Sequence, residues 1–141
     1  MIELHELTKL LTHTQHFVTH ESEEALKEHG LSLAKYNILN ALAQSGGRLP
    51  FSVLVDRLGC VRSNITGLID RLQEDHLVQR VDHPEDRRML FAELTDEGRA
   101  LIEVAAPCHA KAIQKAFSGL TEEQQELLNK LLHDLIRVEV G

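Results

Sequence analysis

A run of short polar and basic side chains between positions 62 and 71 has the chemistry needed to read a nucleic acid. It consists of Arg62, Ser63, Asn64, Thr66, Gly67 and Arg71. A solvated helix face would favour Lys and Glu, whereas this one combines short or forked hydrogen-bonding groups with a glycine that lets another surface come close. Asparagine and threonine suit base edges, and arginine suits phosphates or guanine. The pattern therefore favours a helix laid in a DNA major groove over an ordinary surface helix.

The apolar residues between these polar positions predict the helix that would carry them. They recur at i, i+3, i+4 and i+7, which indicates one buried helical face. The residues concerned are Ile65, Leu68, Ile69 and Leu72. Upstream, Pro50 suits a helix start, and residues 51–58 predict a short helix that is followed by the turn Gly59-Cys60-Val61. This order of short helix, glycine turn and polar-faced helix predicts a helix-turn-helix.

After His76 the hydrophobic pattern changes to period two, which is typical of strands. Residues 77–81 and 89–94 predict two strands, and the charged segment 82–88 predicts the loop between them. A hairpin placed directly after a helix-turn-helix predicts a winged helix-turn-helix. The expected fold is therefore mainly α with a small β-wing.

A family resemblance is carried by the segment VRSNITGLIDRLQEDHLVQRVDHPEDRRMLFAELTDEG. It resembles the recognition helix and wing of the MarR (multiple antibiotic resistance regulator) family of bacterial transcription regulators. The most specific part is Asp82-x-Pro84-x-Asp86-Arg87-Arg88, followed by Thr95 and Gly98. Nearly the whole chain resembles the family in length and helix order.

The resemblance implies particular roles at the wing tip. Asp86 would orient Arg88, and Arg88 would enter the DNA minor groove, where narrow A·T-rich segments attract arginine. A salt bridge between Asp86 and Arg88 that simply closes the loop is the rival interpretation, and both can hold. Arg87 would contact a phosphate or remain solvated.

Two positions depart from the family pattern. Val61 stands where a Ser or Thr usually caps the recognition helix, so the cap is either lost or moved to Ser63. His76 stands where a Gly usually ends that helix. Histidine tolerates the left-handed backbone conformation better than most residues, so the turn is still expected to form.

Long helices on either side of the winged lobe predict a homodimer. We expect one unit over residues 1–141, with a DNA-binding lobe at 31–95 and dimerisation helices at 1–29 and 96–141. The last helix has an apolar face made of Leu127, Leu128, Leu131, Leu132, Leu135, Ile136 and Val138. Unless its own chain covers this face, a monomer would expose a large apolar patch. A two-fold dimer would place two recognition helices about one DNA turn, roughly 34 Å, apart, which predicts an inverted-repeat operator.

Composition limits the alternatives. The net charge of −7 argues against a general nucleic-acid coat protein. The window from Arg57 to Arg88 is nevertheless neutral, with six residues of each sign, so the excess acid lies on the flanking segments. A cytoplasmic protein with reduced thiols is expected, because two cysteines occur without a signal peptide or an apolar run long enough to span a membrane. Phosphate-loop, serine-elbow and zinc-protease motifs are missing, so neither an enzyme nor a cofactor is expected.

The input to the regulator is the least determined feature. The resemblance implies a small effector, often a phenolic or other lipophilic anion, bound where the dimerisation helices meet the lobe; candidate pocket residues are His16, Phe17, His20 and Tyr36. Repression is favoured over activation, because a dimer over a promoter blocks polymerase unaided. One alternative is a zinc sensor that uses His16, His20 and Glu24 at helical spacing with His109. The competing interpretation is that these histidines are scattered and solvated.

The other alternative is a redox switch based on oxidation of Cys60. The competing interpretation is that Cys60 is a small apolar residue that fills the turn.

Overall fold

The computed structural model describes residues 1–82, 85 and 89–140, and the side chains up to residue 137. Its elements, in order, are α1 (Leu4–Lys27), α2 (Leu33–Gln44), β1 (Arg48–Pro50), α3 (Phe51–Leu58), α4 (Arg62–Glu74), β2 (Val78–Asp82), β3 (Leu90–Leu94), α5 (Asp96–Ala116) and α6 (Glu122–Val140). The expected fold, mainly helical with a small β-wing, is confirmed. No helix within the described part of the chain is long and apolar enough to cross a bilayer.

Short local motifs mark the ends of several helices. The Ser32 hydroxyl caps α2 by accepting a hydrogen bond from the Lys35 backbone N–H at 3.2 Å. Thr121 and Gln124 form a reciprocal capping box at the start of α6, with distances of 2.9 and 3.2 Å. Gly59 ends α3 in the left-handed conformation, at φ 63°, which a residue without a Cβ adopts at little cost.

A three-stranded antiparallel sheet closes the lobe, in the order β1-β3-β2. Leu49 of β1 and Arg80 of β2 both lie opposite Ala92 of the central strand. The predicted strands are one residue too long at their starts. Leu77 precedes β2 because its N–H closes the α4 turn on the Leu72 carbonyl at 2.9 Å, and β3 starts at Leu90, after Met89.

The core lies between this sheet, helices α2 to α4, the last turn of α1 and the first half of α5. It is built from aliphatic side chains with one phenylalanine and one tyrosine, Phe51 and Tyr36, as the scarcity of aromatic residues requires. Its fully buried members include Leu26, Ile38, Leu39, Leu42, Phe51, Leu54, Ile65, Ile69 and Leu72. Leu26 of α1 and Ile102 of α5 belong to the same cluster, so the long helices are anchored to the lobe.

Candidate nucleic-acid interface

Helix α4 turns its apolar side into the core and presents its polar side to solvent. Ile65, Ile69 and Leu72 are fully buried, and Leu68 is half-buried. The predicted contact residues Arg62, Ser63, Asn64 and Arg71 are exposed, and Thr66 and Gly67 are half-buried. Four of the six, namely Ser63, Asn64, Gly67 and Arg71, line one shallow cavity of about 380 Å³ with Ala34, Cys60 and Leu68. The structure therefore brings these predicted residues together on one surface.

Two residues of this surface have specific properties. The hydroxyl of Thr66 donates to the Arg62 carbonyl at 3.0 Å, so it offers lone pairs and a methyl group, rather than a free proton, to a base. At Gly67, an added Cβ would meet nothing within 4 Å in the described chain. Packing within the described chain therefore does not require a glycine at position 67. Close approach of a second surface would require one.

The start of α4 has no side-chain cap. Val61 occupies the N-cap position at φ −72° and ψ 151°, and its carbonyl accepts from the N–H groups of Asn64 and Ile65 at 3.1 and 3.3 Å. Ser63 lies inside the helix. Of the two outcomes expected for this departure from the family pattern, the cap is lost rather than moved.

The end of α4 forms as predicted despite the missing glycine. His76 adopts φ 63°, the left-handed region. The reversal is closed by backbone bonds from His76 N–H to the Gln73 carbonyl at 3.0 Å and from Leu77 N–H to the Leu72 carbonyl at 2.9 Å. The chain therefore turns directly from the recognition helix into the first wing strand.

The wing is tied to the recognition helix by Arg80, a contact that the sequence did not reveal. The Arg80 guanidinium pairs with the Asp70 carboxylate of α4 and lies 5.8 Å from the centre of the Phe51 ring. Arg80 thus links β2 to both helices of the helix-turn-helix. The predicted wing-tip contacts Asp86, Arg87 and Arg88 lie outside the described residues.

Comparisons with known proteins agree with this geometry. Residues 29–89 match the sequence model of the MarR family. The HTH-type transcriptional repressor YetL of Bacillus subtilis is 34% identical over 119 residues, which cover 84% of this chain and 71% of YetL. The chain belongs to the MarR family. The resemblance predicted from the recognition helix and wing is thereby confirmed, and the protein is a winged-helix transcriptional regulator.

Two solved MarR-type structures extend the comparison over nearly the whole chain. Sco3205 of Streptomyces coelicolor, solved in complex with DNA, has a TM-score of 0.89 and 28% identity, covering 96% of this chain and 88% of Sco3205. BpsR of Bordetella bronchiseptica, whose DNA binding is regulated by 6-hydroxynicotinic acid, has a TM-score of 0.83 and 25% identity. The match covers 92% of this chain and 98% of BpsR.

Helix α2 joins the long helices of this MarR-family chain to its recognition helix. Glu23 of α1 accepts a hydrogen bond from the Leu33 N–H, at the first turn of α2, at 3.1 Å. Two residues further on, the Lys35 ammonium lies 3.3 Å from the Asp75 carboxylate, at the end of α4. These contacts join positions 10 and 40 residues apart on different helices, so periodicity could not reveal them.

The four predicted effector residues occupy two different environments. His16, Phe17 and His20 are exposed along α1. Tyr36 is buried on α2 and stacks on His109 of α5, with ring centroids 4.4 Å apart and planes inclined by 37°. Burial raises the pKa of Tyr36 and lowers the pKa of His109. Burial thus favours the uncharged form of both side chains.

The zinc and thiol alternatives gain no support from the geometry. Within the described residues, no group of three or more His, Cys, Asp and Glu side chains is arranged to hold a metal ion. The hypothetical ligands His16, His20, Glu24 and His109 are thus not assembled into a site. Cys60 is a half-buried free thiol and Cys108 an exposed one, and the Cys60 thiol donates to the Leu58 carbonyl at 3.5 Å.

Proposed function

We propose that this chain is a ligand-responsive transcriptional repressor that binds an inverted-repeat operator in double-stranded DNA as a homodimer. The observation that carries the proposal is the polar side of α4, set beside a wing, while Ile65, Ile69 and Leu72 on the opposite side are fully buried. Such a helix can enter a major groove without disturbing the core. YetL is a repressor and Sco3205 was solved on DNA, which supports the same output. Regulation requires binding alone, so no chemical step is needed.

The proposed DNA contacts divide into two groups. Ser63, Asn64 and Thr66 would face base edges, whereas Arg62 and Arg71 would face phosphates or guanine. Gly67 would let the helix approach. The wing residues Asp86, Arg87 and Arg88 are proposed as minor-groove and phosphate contacts on the sequence alone.

The proposed dimer follows from the exposure of α6. Among residues 121–137, only Leu128 is even half-buried, and the rest are exposed. Leu127, Leu131, Leu135 and Ile136 expose 53 to 60% of their surface. The described part of the chain therefore leaves this apolar face open, which argues against packing within one chain. An apolar patch of this extent marks an association surface.

The second copy has a groove to enter. Helices α1 and α6 and the end of α5 enclose an apolar cavity of about 450 Å³, lined by Leu7, Leu10, Leu11, Thr14, Gln15, Val18, Phe117, Leu128 and Leu132. A two-fold axis would let identical faces fill each other. Residues 1–29 and 96–141 are accordingly proposed as dimerisation helices, and 31–95 as the DNA-binding lobe.

The effector is proposed to be a small aromatic or lipophilic anion acting between α1, α2 and α5. BpsR responds to an aromatic acid, and the stacked Tyr36 and His109 rings mark an aromatic junction between α2 and α5. A ligand shifts DNA binding only if it binds one spacing of the two recognition helices better than the other. A regulator of chromosomal genes would act in the bacterial cytoplasm.

The test is a gel-shift titration on duplexes selected from a random library by the wild-type protein. We expect enrichment of an inverted repeat, and a steep fall in affinity with salt because phosphate contacts release counterions. Arg71→Ala should weaken binding, whereas Arg99→Ala, which removes an exposed arginine from α5, should not. Enrichment of no sequence would refute the proposal. Parallel titrations with salicylate, zinc, EDTA and peroxide distinguish a phenolic effector from a zinc sensor and from oxidation of Cys60.

A further inference from the structure

Val61 is an exposed apolar residue at the edge of the proposed DNA surface. Most large exposed hydrophobic side chains lie on α1 and α6, where a dimer would cover them. In the described part of the DNA-binding lobe, the large exposed hydrophobic residues are Val61 and Met89, with 63% and 39% of their surfaces accessible. Dimerisation through α1 and α6 does not account for either.

Valine at this position also forgoes a helix cap. Val61 is the N-cap of α4 and makes no side-chain capping bond. Ser, Thr, Asp or Asn at an N-cap stabilises a helix by about 1 kcal/mol relative to an apolar residue. The residue therefore neither caps the helix nor buries its side chain. Local rules broken without a structural gain are expected where function requires them.

The chemistry of the major groove supplies a partner for an isopropyl group. The first residues of a recognition helix are the ones that reach base edges. The only apolar group that a standard base pair presents in the major groove is the 5-methyl of thymine. Neither phosphates nor the polar base edges can use a side chain without donors or acceptors.

We infer that Val61 is a specificity-determining residue that packs its side chain against the 5-methyl group of a thymine in each operator half-site. The inference rests on the proposed function and names one base that the helix reads. The neighbours Arg62, Ser63 and Asn64 supply the polar contacts, and Val61 adds a methyl-dependent one. This contact would explain why a valine, and not a capping residue, occupies the N-cap position of α4.

The test removes the thymine methyl and the valine methyls separately. The wild-type protein first selects its operator from a random duplex library, and each thymine is then replaced in turn by deoxyuridine, which lacks only the methyl. Because one buried methyl is removed, replacing the thymine should lower operator affinity about fourfold at one half-site and about fifteenfold at both. Enrichment of no sequence in the first step would overturn the proposed function and this inference with it.

Val61→Ser should bind thymine and deoxyuridine equally at that position while melting at a higher temperature than wild type, because serine restores the cap. In Val61→Ser, affinity for the thymine-containing operator should therefore fall while thermal stability rises. If Val61 had only a structural role, its replacement would not change the two in opposite directions. Val61→Ala removes the methyls without adding a cap and should lose the same discrimination. Met89→Ser, the matched exposed apolar change on the same lobe, should retain it.

Two results would overturn the inference once an operator has been selected. One is a wild-type protein that is indifferent to deoxyuridine at every thymine. The other is a Val61→Ser variant that still distinguishes thymine from deoxyuridine as strongly as wild type does. Binding is measured by fluorescence anisotropy with each single and paired substitution, so that the coupling between side chain and base is obtained from a double-mutant cycle.

Discussion

The Thr95 hydroxyl donates a hydrogen bond to the carbonyl oxygen of His76 at 2.7 Å. The same hydroxyl accepts from the Gly98 N–H at 3.0 Å, which caps α5. His76 is the left-handed residue that closes the recognition helix. One side chain therefore fastens the end of the DNA-reading helix to the start of a long helix that we assign to the dimer.

Thr95→Val should lower the free energy of unfolding by about 1–3 kcal/mol, because it removes a cap and leaves the His76 carbonyl without this donor. Urea denaturation followed by circular dichroism measures the change. Thr95→Ser keeps the hydroxyl and should lose much less stability. A Thr95→Val protein as stable as wild type would show that the two hydrogen bonds of this hydroxyl contribute nothing measurable.

Gly98→Ala should be among the most destabilising single substitutions in the chain. An added Cβ would collide with the Leu77 carbonyl oxygen, in a buried backbone contact that cannot yield cheaply. The matched change is Gly67→Ala, where a Cβ meets nothing within 4 Å. That variant should gain roughly 0.5–1 kcal/mol of helix stability and bind operator DNA more weakly. Melting temperatures and anisotropy titrations check both, and a stable Gly98→Ala protein would contradict the contact.

Arg80 and Asp70 should contribute to DNA binding as a pair. Arg80→Ala leaves an unpaired carboxylate on the recognition helix, where it repels phosphates, so operator affinity should fall while stability changes by less than about 1 kcal/mol, as usual for exposed ion pairs. Adding Asp70→Asn should restore part of the affinity. Arg48→Ala is the control, since Arg48 also pairs with a strand carboxylate, Glu93, at 2.6 Å, and lies 5.8 Å from a phenylalanine ring. The absence of any rescue in a double-mutant cycle would sink this role.

Features fixed by neighbouring residues could be predicted from the sequence. The Ser32 cap, the Thr121 capping box and the left-handed His76 each depend on a few consecutive positions. The alternation of apolar residues likewise predicted both wing strands to within one residue. Periodicity also predicted the buried side of α4, because a helix repeats every 3.6 residues whatever surrounds it.

Contacts between distant segments could not be predicted in this way. In the sequence, nothing distinguishes Arg80 from other basic strand residues. Its pairing with Asp70 arises only because β2 packs beside α4. The sequence makes Tyr36 a candidate effector residue but does not reveal His109 as its stacking partner, since the two lie on separate helices. The ends of β2 also depended on tertiary structure, because Leu77 is drawn into the helix-terminating turn.

Stability should fall as the pH is lowered through the range below about 6.5, the usual pKa of histidine in an unfolded chain. Burial lowers the pKa of His109 in the folded protein, and its Nε2 atom is buried without a hydrogen-bond partner among the described residues. The unfolded chain therefore takes up the proton first, so this contribution is full above that range and declines until the folded-state pKa is reached. His109→Phe, which keeps a ring against Tyr36, should flatten the dependence. Parallel stability curves for the two proteins between pH 7.5 and 5 would contradict the assignment.

Leu131→Glu should convert the dimer to a monomer. Leu131 exposes 53% of its surface within one chain, so a charge there costs a folded monomer little, whereas an interface would have to bury it unpaired, at a cost of several kcal/mol. Sedimentation velocity measures the state, and circular dichroism should show an unchanged helix content. Asn129→Glu adds the same charge to the polar side of α6 and should leave the dimer intact. Operator affinity should fall only in the first variant, because a monomer presents one recognition helix where the inverted repeat offers two half-sites. A Leu131→Glu protein that still sediments as a dimer would place the interface elsewhere.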